Sequence, residues 1–323
     1  HPILPIPMMA GLSYFVKSTN WNYVSAPEPH LNGRRIAWPR GKVLGGTSAI
    51  NGMMYMRGHR RDYDAWAESG LAGWSYDEVL PYFKHAEGHR QRRDEYHGND
   101  GPFIVNRAKS DNPLYPVFLE ACRQAGHPAT DDFNGSQQEG VGRQDFNIDS
   151  GRRVSAATAY LAPVRGRTNL KVVMRAHAMR VLFDGARATG VEYALGGRGG
   201  ERIKARAARE VILCGGAVNS PALLQISGIG DSVRLQALDI PLVADLPGVG
   251  GNLQDHLGAY VQNHCLEPVT LYRLFRADRA ALALLRVLLF GDGPGASVAL
   301  EAGGFLRTRP KLEIPDIQIT FIP

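Results

Sequence analysis

One stretch limits what this chain can fold around: Arg40-Gly41-Lys42-Val43-Leu44-Gly45-Gly46-Thr47-Ser48-Ala49-Ile50-Asn51-Gly52-Met53-Met54-Tyr55. Adjacent glycines at 45 and 46 remove the Cβ atoms that would hold a bulky anion off the main chain. They also accept the dihedrals that aim successive amides at one point. Thr47 and Ser48 add hydroxyl donors, and a helix beginning there would direct its first amides to the same place. Arg40 and Lys42 bring positive charge to the approach, and Asn51-Gly52 lets the chain turn from a phosphate group toward whatever it carries. The pattern predicts a turn that cradles a phosphate-bearing ligand, with a plain glycine turn into a helix as the alternative.

Two other chemistries fail on spacing. A G-x-S-x-G nucleophile elbow at Ser48 needs glycine at 50, where Ile50 stands. A Walker A loop needs Ser or Thr directly after Lys42, where Val43 stands, which disfavours ATP chemistry.

With 323 residues, 44% of them hydrophobic, the chain can bury one large core or two smaller ones. A net charge of +6 raises the question of a nucleic-acid partner. The arginines are scattered, with short runs at Arg34-Arg35, Arg90 to Arg93 and Arg152-Arg153, and no aromatic-interleaved basic stripe accompanies them. A solvated basic surface and no nucleic-acid partner are therefore expected. Cys122, Cys214 and Cys265 stand far apart without a CxxC, which argues against disulfides or zinc and for a reducing, cytoplasmic compartment. The most apolar run, Ala280 to Phe290, is broken by Arg286 and falls short of the ~20 residues a bilayer span needs. A helix packed on the protein is expected there, with peripheral membrane contact as the alternative.

Along the chain, Asn20 to Ser25 and Arg35 to Trp38 read as short strands flanking the Asn32-Gly33 turn. Tyr63 and Trp66 share a helix face, and Ser75-Tyr76-Asp77-Glu78 is a capping box. His85 and His89 have i, i+4 spacing without an acidic third ligand, so His85, His89 and His97 are expected to be solvated and no metal site is assigned. Asn112-Pro113 opens a helix, and the Asp131-Asp132 pair reads as Asx-turn chemistry rather than a catalytic dyad. Strands are expected at Leu170 to Met174, Met179 to Phe183 and Thr189 to Tyr193, with turns at Asp184-Gly185 and Gly196-Gly197. Glu210 to Cys214 has the apolar signature of a strand buried in a parallel sheet, followed by a helix from about Ser220-Pro221. Adjacent Asp255 and His256 are not expected to act as a base with its orienting carboxylate. Glu301 to Arg307 and Ile317 to Phe321 read as strands of a second sheet.

Gly41-Lys42-x-Leu44-Gly45-Gly46-Thr47-Ser48-x-Ile50-Asn51, with Tyr55 and Gly58, resembles the first signature of the glucose-methanol-choline (GMC) oxidoreductases. Gly216-Ala217-x-x-Ser220-Pro221-x-Leu223-Leu224-x-x-Ser227-Gly228-Ile229-Gly230 resembles the second, and Gly248-Val249-Gly250-Gly251-Asn252-Leu253-Gln254-Asp255-His256 resembles a further family segment. The finer likeness, at Asn20-Trp21, Arg57-Gly58-His59 and Glu301 to Phe305, is to bacterial choline and aliphatic alcohol dehydrogenases.

That resemblance implies an α/β fold with a Rossmann-like FAD-binding domain over residues 1–258, and the start of an antiparallel substrate domain over 259–323. It implies FAD contacts at Val43, Gly45, Gly46, Thr47, Ser48, Asn51, Gly52, Met53 and Met54, at Ala178 for the adenine, and at Gly216 and Ala217. Ile50 stands where some members carry a flavin-linking histidine, so the FAD is expected to be non-covalent. The activity implied is oxidation of a primary alcohol, choline or an aliphatic alcohol, to the aldehyde, with a quinone, another acceptor or oxygen taking the electrons. Glu301 is a candidate for holding a quaternary ammonium, whereas Val298-Ala299-Leu300 suits an alkyl chain. The family's opening glycine motif and its catalytic histidine find no counterpart here, so an internal, inactive fragment is expected and no catalytic residue is assigned.

Overall fold

In a computed structural model, which describes residues 1–107 and 109–323, the chain forms two compact units: His1–Arg167 with Asn263–Pro323, and Thr168–Gln262. Helices and small sheets alternate in both, as an α/β chain requires. The expected cut lies between 258 and 259, whereas packing groups residues 263–323 with the first 167. Strand Ala302–Leu306 lies between Gly140–Arg143 and Ile317–Phe321, antiparallel to both. Gly303 and Gly304 face Gly142 and Val141 in this sheet.

Local signals account for the helices of the first unit. Tyr76–Ala86 starts with the Ser75/Glu78 capping box, and Asp64 Oδ1 accepts the Tyr76 amide at 3.0 Å. Arg60–Glu68 is capped by His59 and Asp62, and stacks Tyr63 edge-on to Trp66 at 5.4 Å. Leu114–Gln124 follows Asn112, whose Oδ1 accepts the Leu114 amide. Tyr23–Val24 and Ala37–Trp38 pair antiparallel across the 32–33 turn. The apolar centre gathers Ala10, Met53, Phe146 and Val298, with Met54, Ile148 and Leu300 packed against it. The glycine stretch therefore ends inside the core.

Helix Ala277–Phe290 is amphipathic: Ala283 and Val287 are buried, while Leu282, Leu289 and Phe290 lie exposed. No helix of the described residues is long and apolar enough to cross a membrane.

The second unit holds the expected antiparallel meander, with one substitution of strands. Ala176–Asp184, Arg187–Leu195 and Glu201–Arg206 pair in order, turning at Asp184-Gly185 and after Leu195. Leu170 to Met174 is not a strand, and neither is Glu210 to Cys214; Ile212 is 73% exposed. Apolar content alone does not make a strand, because the main-chain amides and carbonyls need a neighbouring ladder. Among the described residues no strand pairs with either segment. Helix Gly216–Ile226 begins earlier than the Ser220-Pro221 pair suggested, with Pro221 inside it.

Candidate functional site

Glycine chemistry shapes the 40–54 stretch in two ways. Gly45 and Gly46 both adopt left-handed φ, +88° and +55°, and a short 3₁₀ turn over Gly46–Ala49 follows. Gly41 has no room for a side chain: a Cβ there would strike the Gly46 carbonyl and lie 2.8 Å from the Thr47 amide nitrogen. The Gly41 amide donates to Thr47 Oγ1, and Lys42 N to Thr19 O, so the approach and the turn are laced together. No side chain caps the turn, and its first amide, that of Gly46, donates to Val43 O at 2.9 Å. Lys42 and Thr47 are exposed, whereas Ala49, Ile50 and Met53 are buried. Met53 itself sits at φ +60°, a strained conformation for a side-chain-bearing residue, held by Asn147 N donating to its carbonyl. Gly52 faces Leu300, so the Val298–Leu300 segment lies directly on the stretch.

Behind the turn lies a residue the sequence pattern did not single out. Arg152-Arg153 reads as a solvated basic run; Arg152 is exposed as expected, but Arg153 is only 5% exposed. Arg153 Nη1 donates to Asn51 O at 2.7 Å, Asn51 Oδ1 at 2.8 Å and Ser48 O at 3.1 Å, while Nε donates to Leu4 O. Burial lowers its pKa to about 10, opposed by the Tyr14 hydroxyl. Ser48 Oγ donates to Gly45 O and accepts from Ala156 N, which ties the turn to the segment carrying Arg153. The signal for Arg153 is tertiary: nothing in the dipeptide says which arginine turns inward.

Where the stretch leaves the core, a closed polar ring takes it over. Arg57 Nη2 pairs with Glu87 Oε2 at 2.7 Å, and Glu87 Oε1 meets His97 Nδ1 at 3.0 Å. His97 Nε2 meets Asp132 Oδ2 at 2.9 Å, and Asp132 Oδ1 accepts the Asn134 amide in the expected Asx turn. Asn134 Oδ1 then accepts the Arg57 amide at 2.8 Å, and its Nδ2 donates to Tyr55 O. His89 and His97 are therefore not solvated but 2% and 1% exposed, and only His85 is exposed. The acidic partners that bury them come from residues 10 and 35 positions away from His97, beyond the reach of local periodicity.

Glu87, His89 and His97 lie close enough to share a metal ion, as do Asp94, His97 and Asp132. The hydrogen bonds favour a proton instead. Both ring nitrogens of His97 face carboxylates, so both are donors and the ring is an imidazolium. His89 Nδ1 accepts the Gln91 and Arg92 amides, which leaves Nε2–H for Asp145. Arg57 already neutralises Glu87 where a cation would sit. Burial would lower the His97 pKa, but the bonds to Asp132 and Glu87 outweigh it and raise the pKa to about 9.

A pH effect follows, with its sign fixed by that upward shift. Stability from the His97 proton is complete below about pH 6.5 and lost as pH rises through about 9. Glu87, Asp132 and Asp94 face the ring as acids, with Arg57, Arg92 and His89 around them. Urea unfolding is expected to show a fall on the order of 3 kcal/mol across this window, and His97→Gln to flatten it. A His97→Gln protein with the same pH slope would place the titrating group elsewhere.

Other expected site residues are distributed as follows. Ala178 lies within strand Ala176–Asp184, opposite Tyr193, rather than just before a strand. That strand's free edge meets helix Gly216–Ile226, where Ser227 Oγ accepts the Val181 amide. Gly216, at φ +80°, and Ala217 open that helix, exposed and without a side-chain cap. Asp255 Oδ1 accepts the His256 backbone amide. Glu301 is fully buried; its carboxylate accepts from Ser110 N at 2.7 Å, contacts Ser297 Oγ and faces Arg143 at 3.4 Å. Burial raises its pKa. All three cysteines are free thiols.

Comparison with known proteins places this geometry. Residues 10–258 match the family described as GMC oxidoreductase. The chain is 49% identical over 304 residues to mitochondrial choline dehydrogenase from Mus musculus, covering 94% of this chain and 50% of that protein. It is 46% identical over 322 residues to the oxygen-dependent choline dehydrogenase of Brucella ovis, covering all of this chain and 58% of that protein. An FAD-dependent oxidoreductase from Chaetomium thermophilum superposes with a TM-score of 0.83 at 28% identity, over 95% of this chain and 55% of that one. The chain thus spans about half the length of the relatives it matches. A left-handed glycine turn, inside a chain whose residues 10–258 match the family and 94% of which aligns with one such relative, leads to one assignment: the chain belongs to the GMC oxidoreductase family.

Proposed function

We propose that this chain forms the cofactor-holding part of an FAD-dependent oxidoreductase that oxidises a primary alcohol, choline or an aliphatic alcohol, to its aldehyde. The observation that carries the reading is the left-handed turn at Gly45-Gly46, which no side chain caps, backed by the buried Arg153. These residues suit a diphosphate: the glycines admit close approach, the amides donate, and Arg40, Lys42 and Arg153 add positive charge. The expected contacts Val43, Gly45 to Ser48 and Asn51 to Met54 form one continuous run. Ala178, Gly216 and Ala217 belong to the other unit, and residues 259–323 are taken as the start of the substrate portion.

When bound, FAD accepts hydride from the alcohol carbon. The chain's own residues bind, orient and exclude water. Ile50 and Met53, both fully buried, keep the inner side of the turn dry. Val298 and Leu300, packed with Met53 and Met54, give an apolar wall suited to an alkyl portion of the substrate. Glu301 serves that wall, since its carboxylate is consumed by Ser110, Ser297 and Arg143. No residue of this chain is assigned as the proton acceptor. Ile50 offers no nucleophile to the cofactor, so the flavin is non-covalent and leaves the protein on denaturation; flavin that stays with the precipitated polypeptide would overturn this point.

The electron acceptor is a quinone or another carrier, with oxygen as the second reading because one relative is named oxygen-dependent. Location is cytoplasmic, with peripheral membrane contact through the exposed side of helix Ala277–Phe290 as the finer alternative. Anaerobic addition of choline or octanol to the flavin-loaded protein tests the whole reading. Bleaching by one alcohol names the substrate class, and the rate of recolouring in air separates oxidase from dehydrogenase. Bleaching by neither overturns the proposal.

A further inference from the structure

Arg153 is a buried arginine without an acid. Its hydrogen bonds go to neutral oxygens of Leu4, Ser48 and Asn51, and Nη2 is buried with no partner among the described residues. Arg153 forms no ion pair there either. A buried cation costs several kcal/mol in desolvation unless negative charge sits beside it. A neutral donor would serve these carbonyls without that cost, so the charge itself needs a use.

The Asn51 side chain shows where the charge is directed. Asn51 Oδ1 receives Arg153 Nη1 at 2.8 Å and the Met53 amide at 3.1 Å. Only a carbonyl oxygen can accept from both, which fixes the amide's orientation without ambiguity about which atom is nitrogen. The Asn51 NH₂ group is thereby turned away from Arg153, half-buried, and it donates to no acceptor among the described residues. Its two N–H bonds are polarised by the guanidinium bound to the other end of the same amide.

We propose that Arg153 is a positioning residue for the cofactor: it locks Asn51 so that the loop presents an amide donor to an electron-rich acceptor on the bound flavin, and so favours the flavin's reduced form. The inference rests on the flavin reading of the 40–54 stretch. A donor aimed at an acceptor that gains negative charge binds the reduced state more tightly than the oxidised one, and does so without reorganising.

The test is the midpoint potential of the bound flavin in four proteins: the parent, Asn51→Ala, Arg153→Gln and the double variant. Each single substitution is expected to shift the reduced-to-oxidised equilibrium about tenfold toward the oxidised form, ~30 mV for a two-electron couple. The double variant is expected to shift no further, because Asn51 delivers what Arg153 positions. Additive shifts would overturn the proposal, and so would an Arg153→Gln protein that melts earlier yet keeps the parent potential, since that is the mark of a purely structural arginine. If Arg153→Gln does not fold, Asn51→Asp decides: it retains Arg153 as a partner but lacks the donor, so an unchanged potential overturns the inference. A parent protein that takes up no FAD would overturn the flavin reading itself, a result distinguishable from all of these.

Discussion

A Gly41→Ala protein is expected to fold and to lose most of its flavin. Gly41 is not held in a left-handed conformation, so the new methyl meets no dihedral penalty; its problem is space. The added Cβ would press on the Gly46 carbonyl and the Thr47 amide, both main-chain groups that cannot rotate out of the way. Overpacking of this kind costs about 1–3 kcal/mol when side chains give way, and here the only relief is movement of the 46–47 turn itself. That turn is the proposed diphosphate cradle, so affinity falls by roughly tenfold or more for every 1.4 kcal/mol displaced. Gly46→Ala supplies the comparison. It has open space around its Cβ and pays only the left-handed conformation, about 1–2 kcal/mol. Flavin retained per protein after gel filtration is expected to rank parent, then Gly46→Ala, then Gly41→Ala. Equal retention in parent and Gly41→Ala would remove the turn from the cofactor site.

Glu87→Ala is expected to be among the most destabilising single changes in the first unit. The substitution leaves the Arg57 guanidinium, 3% exposed, beside an imidazolium with no carboxylate between them. Breaking a buried pair from one side costs about 3–5 kcal/mol, because the surviving charge keeps its desolvation penalty. It also removes the acceptor of the Gly98 amide. Arg57 Nε already lacks a partner among the described residues, so these offer no spare acceptor. The melting temperature is expected to drop by roughly 10 °C. Glu87→Gln, which keeps the shape and an acceptor for Gly98, is expected to fall between the two. A Glu87→Ala protein that melts with the parent would mean that the Arg57–Glu87–His97–Asp132 ring is not closed in solution.

Much of this architecture is written locally. The Ser75/Glu78 capping box, the Asn112 cap, the Tyr63/Trp66 face and the Asp132 Asx turn depend on residues within a few positions of each other, and each forms as its chemistry dictates. The same holds for the glycine turn at 45–46, whose dihedrals follow from the absence of Cβ atoms. Glu210 to Cys214 marks where local reasoning stops. Its apolar run fits a buried strand, yet a strand exists only where another edge completes its hydrogen bonds, and no such edge pairs with it among the described residues.

Charge was harder to place than shape. Arg152 and Arg153 are the same side chain one residue apart, one solvated and one buried against the glycine turn. His85 and His97 both sit in an arginine-rich segment, one exposed and the other enclosed by two acids. The sequence alone determined the turn at Gly45-Gly46, the helix caps and the family, because each is set by residue types at short, fixed spacings. Tertiary structure decided which ionisable groups are buried and what they hold, because the free energy of a charge depends on the solvent it loses and the partners it gains, and the chain brings those from far away.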